Sequence, residues 1–156
     1  MNHTPEPAGS FCALTAALLA LPGVQSLGGP LDQDPHRCAV DVEGVAFAVE
    51  AVGDAIRVLC CLGTVPSECA REALIRLLEV NFVLAASAQS ARLGIDPASD
   101  QVVYLFDAPR WQVTAASLAA ALRASAERAR HWQASQWNDE SPCSIIAGSD
   151  ALLRKA

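Results

Sequence analysis

The sequence predicts an α+β domain, helices packed on a twisted antiparallel sheet, in the order α-β-β-β-α-β-β-α. Three observations carry that prediction. Apolar residues recur with a helical period in three separate segments, the mark of helices with an inward face. Between the first two lie three β-rich stretches broken by Glu43-Gly44 and Gly53-Asp54, pairs suited to two-residue hairpin turns. Between the second and third, two further β-type stretches bracket Asp96-Pro97-Ala98-Ser99-Asp100. Proline at the second position and aspartate at both ends are the usual chemistry for reversing a strand.

Residues 1–9 hold two prolines and a glycine and read as a flexible tail. Ser10 is suited to cap a first helix over Phe11–Leu21, and Pro22-Gly23 stops it. Phe11, Leu14, Leu18 and Leu21 form one stripe on this helix, while Ala13, Ala16, Ala17, Leu19 and Ala20 fill the rest and no charge appears. Since a surface helix normally has a solvated face, this one is either wholly enclosed or offers an apolar strip to another chain. Residues 22–37, rich in Gly, Pro and Asp, read as a loop. Strands follow at Cys38–Val42, Val45–Val52 and Ala55–Leu62. In the second, Val45, Phe47, Val49 and Ala51 share one face and Ala46, Ala48 and Glu50 the other, the alternation of a sheet covered on one side.

Pro66 opens the central helix, with Glu68 near the positive end of its dipole. Ala70, Leu74, Leu77, Leu78 and Asn81 line one face, and Ile75, Leu78, Phe82 and Ala85 a neighbouring one, which narrows the polar strip to Glu68, Glu72, Arg76 and Glu79. So wide an apolar surface has two readings. Either the helix is buried in a single core, or it faces its own sheet on one side and an identical helix across a two-fold axis on the other. The hairpin strands are Ala91–Ile95 and Val102–Phe106, with Gly94 able to tolerate a bulge. Asp107-Ala108-Pro109 closes the last strand. Thr114 then caps a third helix to about Trp132, whose inner face carries Leu118, Leu122, Ser125, Ala129 and Trp132. The domain thus spans residues 10–132, and residues 133–156, with no clear period, read as a loosely structured tail.

The 156 residues are one domain's worth, enough to bury roughly two thirds of the unfolded surface without staples. Hydrophobic residues make up 52% but aromatics 5%, a balance that favours a helix-on-sheet core over an aromatic ligand pocket. The net charge of −6 argues against nucleic acid, whose phosphates would be repelled. That charge is uneven: residues 1–109 carry 13 acids and 5 bases, residues 110–156 carry 4 acids and 6 bases. The acidic field of the first part either steers a basic or neutral partner or keeps an apolar surface soluble. The apolar stretch Phe11–Leu21 is no signal peptide, since no Lys or Arg precedes Arg37, and it is too short to span a bilayer. A cytoplasmic protein without membrane insertion is expected.

Little in the chain suggests chemistry. Cysteines stand at 12, 38, 60, 61, 69 and 143 without a paired C-x-x-C spacing, and His36-x-Cys38 is alone, so no metal is expected. Cys60 and Cys61, adjacent in a strand, point to opposite faces. Of the histidines at 3, 36 and 131, the first and last lack a carboxylate at an orienting spacing. No nucleophile elbow, phosphate loop or dinucleotide fingerprint occurs. The sequence therefore predicts a binding protein with neither catalytic residues nor cofactor.

The runs Leu77-Leu78-Glu79-Val80-Asn81, Leu93-Gly94-Ile95-Asp96-Pro97 and Val102-Val103-Tyr104-Leu105 resemble the helix-hairpin region of class I type III secretion chaperones, the Tir-chaperone (CesT-like) family. The likeness is strongest over Pro66 to Asp107 and extends from Ser10 to Trp132. It implies a small, acidic, cytosolic homodimer that holds the unfolded N-terminal segment of a secreted effector and keeps it soluble and secretion-competent, with release left to the secretion machinery. Extended segments bind sheet edges and apolar grooves. From the faces assigned above, Phe11, Leu14, Leu18, Leu21, Phe47 and Val49 are the expected effector contacts. Ile75, Leu78, Phe82, Val103 and Leu105 are the expected dimer contacts. The alternative is a regulatory or scaffold protein of the same fold that binds a folded partner. The Pro22–Arg37 loop and the chain beyond Trp132 are longer than this pattern needs.

Overall fold

A computed structural model describes residues 10–28, 34–64, 70–86 and 90–135 and has the expected α+β architecture. The chain forms helix α1 (Phe11–Leu19), strands β1 (Val24–Ser26), β2 (Arg37–Val42), β3 (Val45–Val52) and β4 (Ala55–Thr64), helix α2 (Ala70–Ala86), strands β5 (Arg92–Asp96) and β6 (Gln101–Pro109), and helix α3 (Ala115–Ser135). The strands make one sheet in the order β1-β2-β3-β4-β6-β5, and each neighbouring pair is antiparallel.

Local chemistry sets the boundaries. The Ser10 hydroxyl accepts the Ala13 N–H at 3.2 Å and caps α1. Thr114 Oγ1 accepts the Ser117 N–H at 3.1 Å and caps α3. Glu43 and Gly44 both have positive φ, 55° and 82°, as the tight β2–β3 turn requires, and Asp41 steadies it by accepting the Gly44 N–H at 3.0 Å. In the β5–β6 turn Asp96 does most of the holding. Its carboxylate accepts the Ala98 N–H at 3.1 Å and the Ser99 hydroxyl at 2.6 Å, and its carbonyl accepts the Asp100 N–H at 2.9 Å. Those bonds, the Ser99 hydroxyl first, hold the Asp96 carboxyl below the usual carboxylate range.

Alternation decides what the sheet buries. Val40, Val42, Val45, Phe47, Val49, Ile56, Val58, Cys60, Val102 and Tyr104 are buried on the face that α3 crosses, where Leu118, Leu122, Ser125 and Ala129 meet them. Both inward faces are as the sequence predicts. Ala39, Asp41, Ala46, Ala48, Glu50, Arg57, Leu59, Cys61, Val103, Leu105 and Asp107 alternate onto the opposite face. Helix α1 packs on α3 and β1, and two arginines of α3 pin neighbouring loops. Arg123 Nη2 donates to the Pro22 carbonyl at 2.7 Å, and Arg130 reaches the Glu43 carbonyl at 3.2 Å and carboxylate at 2.6 Å.

Several details differ from the sequence reading. Residues 22–37, read as a loop, contain the edge strand β1, in which Val24 pairs with Val42 and is buried. Helix α1 ends at Leu19 rather than Leu21. Strand β6 continues to Pro109, still opposite Ala55, because Arg110 N–H donates to the Asp54 carbonyl at 2.8 Å and extends the pairing. The β5–β6 ladder is regular through Gly94; the bulge lies instead at Cys61/Gly63 in β4, where Gly63 takes φ 126°. Pro66 and Glu68 and the expected tails 1–9 and 136–156 lie outside the described residues. Residues 133–135, read as the start of the tail, continue α3.

Candidate functional site

Helix α2 docks beside β5 through a narrow inner line, with Ala73 and Leu77 buried and Val80 and Asn81 partly so. Asn81 fixes the helix to the strand. Its Nδ2 donates to the Leu93 carbonyl at 2.9 Å, and its Oδ1 accepts the Leu93 N–H at 2.7 Å. The outer line is apolar and open: Leu74 is 49% exposed, Ile75 45%, Leu78 69% and Phe82 76%. These four are spaced at i, i+1, i+4 and i+8, which puts them on one face of a 3.6-residue helix. Large side chains left in water this way mark an interaction site.

Three of the five expected dimer contacts, Ile75, Leu78 and Phe82, thus stand together on that face. Val103 and Leu105 are half-buried on β6, on the sheet face opposite the core. Leu74, which shares one periodic line with Leu77 and Asn81 in the sequence, belongs to the outer face. Ala73, one position earlier, is buried on the inner line together with Leu77.

The expected effector contacts need a larger correction. Phe11, Leu18, Phe47 and Val49 are buried in the monomer core, and Leu14 and Leu21 are half-buried against it. The stripe read as an offered surface is the one that holds α1 to α3 and the sheet. The open face of α1 is its reverse, made of Cys12, Ala13, Ala16, Ala17, Leu19 and Ala20, and it carries no charge. Trp111 is 73% exposed in the short 3₁₀ turn Arg110–Gln112, and an isolated tryptophan gives no periodic signal in the sequence.

The sheet face opposite the core is zoned. One row alternates in charge across five strands: Arg37, Glu50, Arg57 and Asp107 are successive cross-strand partners, and Arg92 reaches Asp107 from β5. The Arg57 guanidinium, with Arg92 adding its charge, holds the Asp107 carboxyl below the usual range against partial desolvation. Beside that row Ala39, Ala48, Leu59 and Leu105 follow in register as an apolar strip.

Among the described residues no group of three or more His, Cys, Asp or Glu side chains could hold an ion, and no buried side-chain polar atom lacks a hydrogen-bond partner. Cys60 is buried and Cys61 exposed, on opposite faces as predicted; burial, with Cys61 alongside, pushes the Cys60 thiol up to about 12. None of the described helices is long and apolar enough to cross a membrane.

Fold and surface together define a small α+β protein with open apolar faces on α1 and α2. The model of the Tir chaperone protein (CesT) family matches residues 25–133, most of the chain, and the protein belongs to that family of type III secretion chaperones, which bind rather than catalyse. No curated protein matches it. Among solved structures it is similar to the Yersinia pestis type III secretion chaperone SycH, from a complex with a fragment of YscM2, at 15% identity and TM-score 0.57, covering 80% of this chain and 99% of that one. A chain of the HopA1–SchA chaperone–effector complex aligns at 19% identity and TM-score 0.51, covering 68% and 82%. A chain of the ExsC–ExsE complex aligns at 15% identity and TM-score 0.54, covering 81% and 90%. At these identities the structures support the fold alone.

Proposed function

We propose that this protein is a cytoplasmic, homodimeric secretion chaperone that holds the unfolded N-terminal segment of a secreted effector. The observation that carries the reading is the row of large apolar side chains left open on α2. Burying a side chain such as Leu78 or Phe82 is worth roughly 1.5–3 kcal/mol, so the face favours a partner strongly. A second copy supplies that partner by symmetry, with Leu74, Ile75, Leu78 and Phe82 meeting their equivalents and Val103 and Leu105 at the margin. The effector then lies elsewhere, along the charge-free outer face of α1 around Ala13, Ala16 and Leu19 and beside the short edge strand β1. A client kept extended there forms no core of its own and remains ready for export.

The test is co-expression with a secreted protein encoded beside this one. Its N-terminal segment should become soluble and co-purify while staying sensitive to protease wherever it is not in contact. Ala16→Glu with Leu19→Glu should abolish co-purification in a folded dimer. If the pair of glutamates leaves the complex intact, the α1 face is not the site. A partner captured only as a folded, protease-resistant domain would instead favour a regulatory or scaffold role.

A further inference from the structure

The sheet has two edges, and the structure treats them differently. At the β5 edge, the outward-facing peptide groups of Leu93, the second residue of a five-residue strand, are both taken by one side chain: Asn81 donates to the carbonyl at 2.9 Å and accepts from the N–H at 2.7 Å. In an antiparallel ladder, pairs that exchange backbone bonds alternate with pairs that do not, so Leu93, opposite Tyr104, directs its groups away from β6. A primary amide offers one donor and one acceptor side by side, the same complement that a neighbouring strand would present. At the other edge, β1 is three residues long.

We propose that Asn81 is a specificity-determining residue that ends the sheet at β5 by standing in for a further strand, so that no extended segment or second copy is added along that edge. An unprotected strand edge is a template for pairing with another chain, and covering it with a helix is one way proteins prevent this. Here the cover is a helix whose inner line is narrow and whose bond to the edge is this amide pair. Copies of the chain are thereby limited to meeting through side chains rather than through the β5 edge, and an extended client is limited to the β1 side. The inference concerns the edge itself and stands whether the α2 face takes a second copy or another protein.

Asn81→Leu, close in size, deletes both bonds. Hydrogen exchange resolved by peptide, combined with sedimentation of the full chain at several concentrations, reads the outcome. Wild-type protection in β3 and β4 shows that the variant is folded. The peptide containing Leu93 should then exchange at least about tenfold faster at low concentration. At higher concentration the variant should sediment as species larger than wild type, with protection in β5 restored by pairing. Unchanged exchange in β5 would overturn the proposal, and so would faster exchange with no concentration-dependent assembly. Asn81→Asp keeps an acceptor for the Leu93 N–H but sets a carboxylate against the carbonyl. It gives the same two readings if the leucine variant does not fold. A loss of the α2 dimer changes sedimentation without altering β5 exchange, so the two failures are distinct.

Discussion

Arg57 on β4 and Asp107 on β6 stand as cross-strand partners, and the guanidinium meets both carboxylate oxygens, Nε to Oδ1 at 2.8 Å and Nη2 to Oδ2 at 3.3 Å. Arg92 adds a third bond, Nη2 to Oδ2 at 2.8 Å. The cluster lies on the sheet face that α3 does not cross. There it joins three strands, and a one-residue slip of any of them would turn that strand's charge toward the core.

This cluster sets a pH dependence. Because the folded state holds the Asp107 carboxyl below its ordinary value, the unfolded chain binds the proton first as pH falls. The stability it contributes is full above the unfolded pKa and is lost as pH drops through the lower folded pKa. Asp107→Asn should therefore destabilise the protein by about 1 kcal/mol or less near neutrality, the range for partly exposed ion pairs. Urea unfolding curves of variant and wild type should converge below the carboxylate range. A difference that persists unchanged in acid would contradict the role given to this charge.

Core and surface substitutions should separate cleanly. Leu18→Ala and Phe47→Ala each remove a fully enclosed side chain and should cost about 2–5 and 3–5 kcal/mol. Leu19→Ala, on the open face of α1, should change stability by no more than about 0.5 kcal/mol. Thermal or urea unfolding checks all three, and a severe loss from Leu19→Ala would mean that this face is already covered in the monomer.

The outward half of that distinction was the harder part to read from the sequence. Strand alternation in Val45–Val52 and the Asp96–Asp100 turn gave the sheet and its faces, because period-2 patterning and turn chemistry are local. The inner face of α3 was equally legible from Leu118, Leu122 and Ala129. Strand β1 was not, since three residues between Gly23 and Gly28 are too few to show a period. On α1 the sequence shows the apolar stripe but not its direction: Phe11 and Leu18 look the same whether they meet a guest or the protein's own core. On α2 the two apolar lines look alike in sequence, and only the fold shows that Ala73 and Leu77 turn inward while Leu74 stays open.

Thiol chemistry offers an independent check of the sheet faces. With the Cys60 thiol pushed up to about 12 by burial, its thiolate fraction near neutral pH is on the order of one in 10⁵. Under native conditions maleimide should leave Cys60 unmodified, whereas Cys12 is exposed and should react first. Cys61, although exposed, should lag Cys12, because partial burial and the nearby Asp96 raise its thiol as well. Peptide mapping reads all three sites. Rapid native labelling of Cys60 would mean that the β4 face under α3 opens more readily than the packing allows.

The central claim is that the open side of α2 exists to be covered by a second copy. Sedimentation equilibrium at micromolar concentration, on wild type and on Leu78→Glu with Phe82→Glu, tests it most directly. The account predicts a wild-type dimer and a variant that is monomeric with the same circular dichroism, since both altered positions are more than two-thirds exposed in the single chain. A wild-type protein that sediments as a monomer, or a folded variant that remains a dimer, would contradict it.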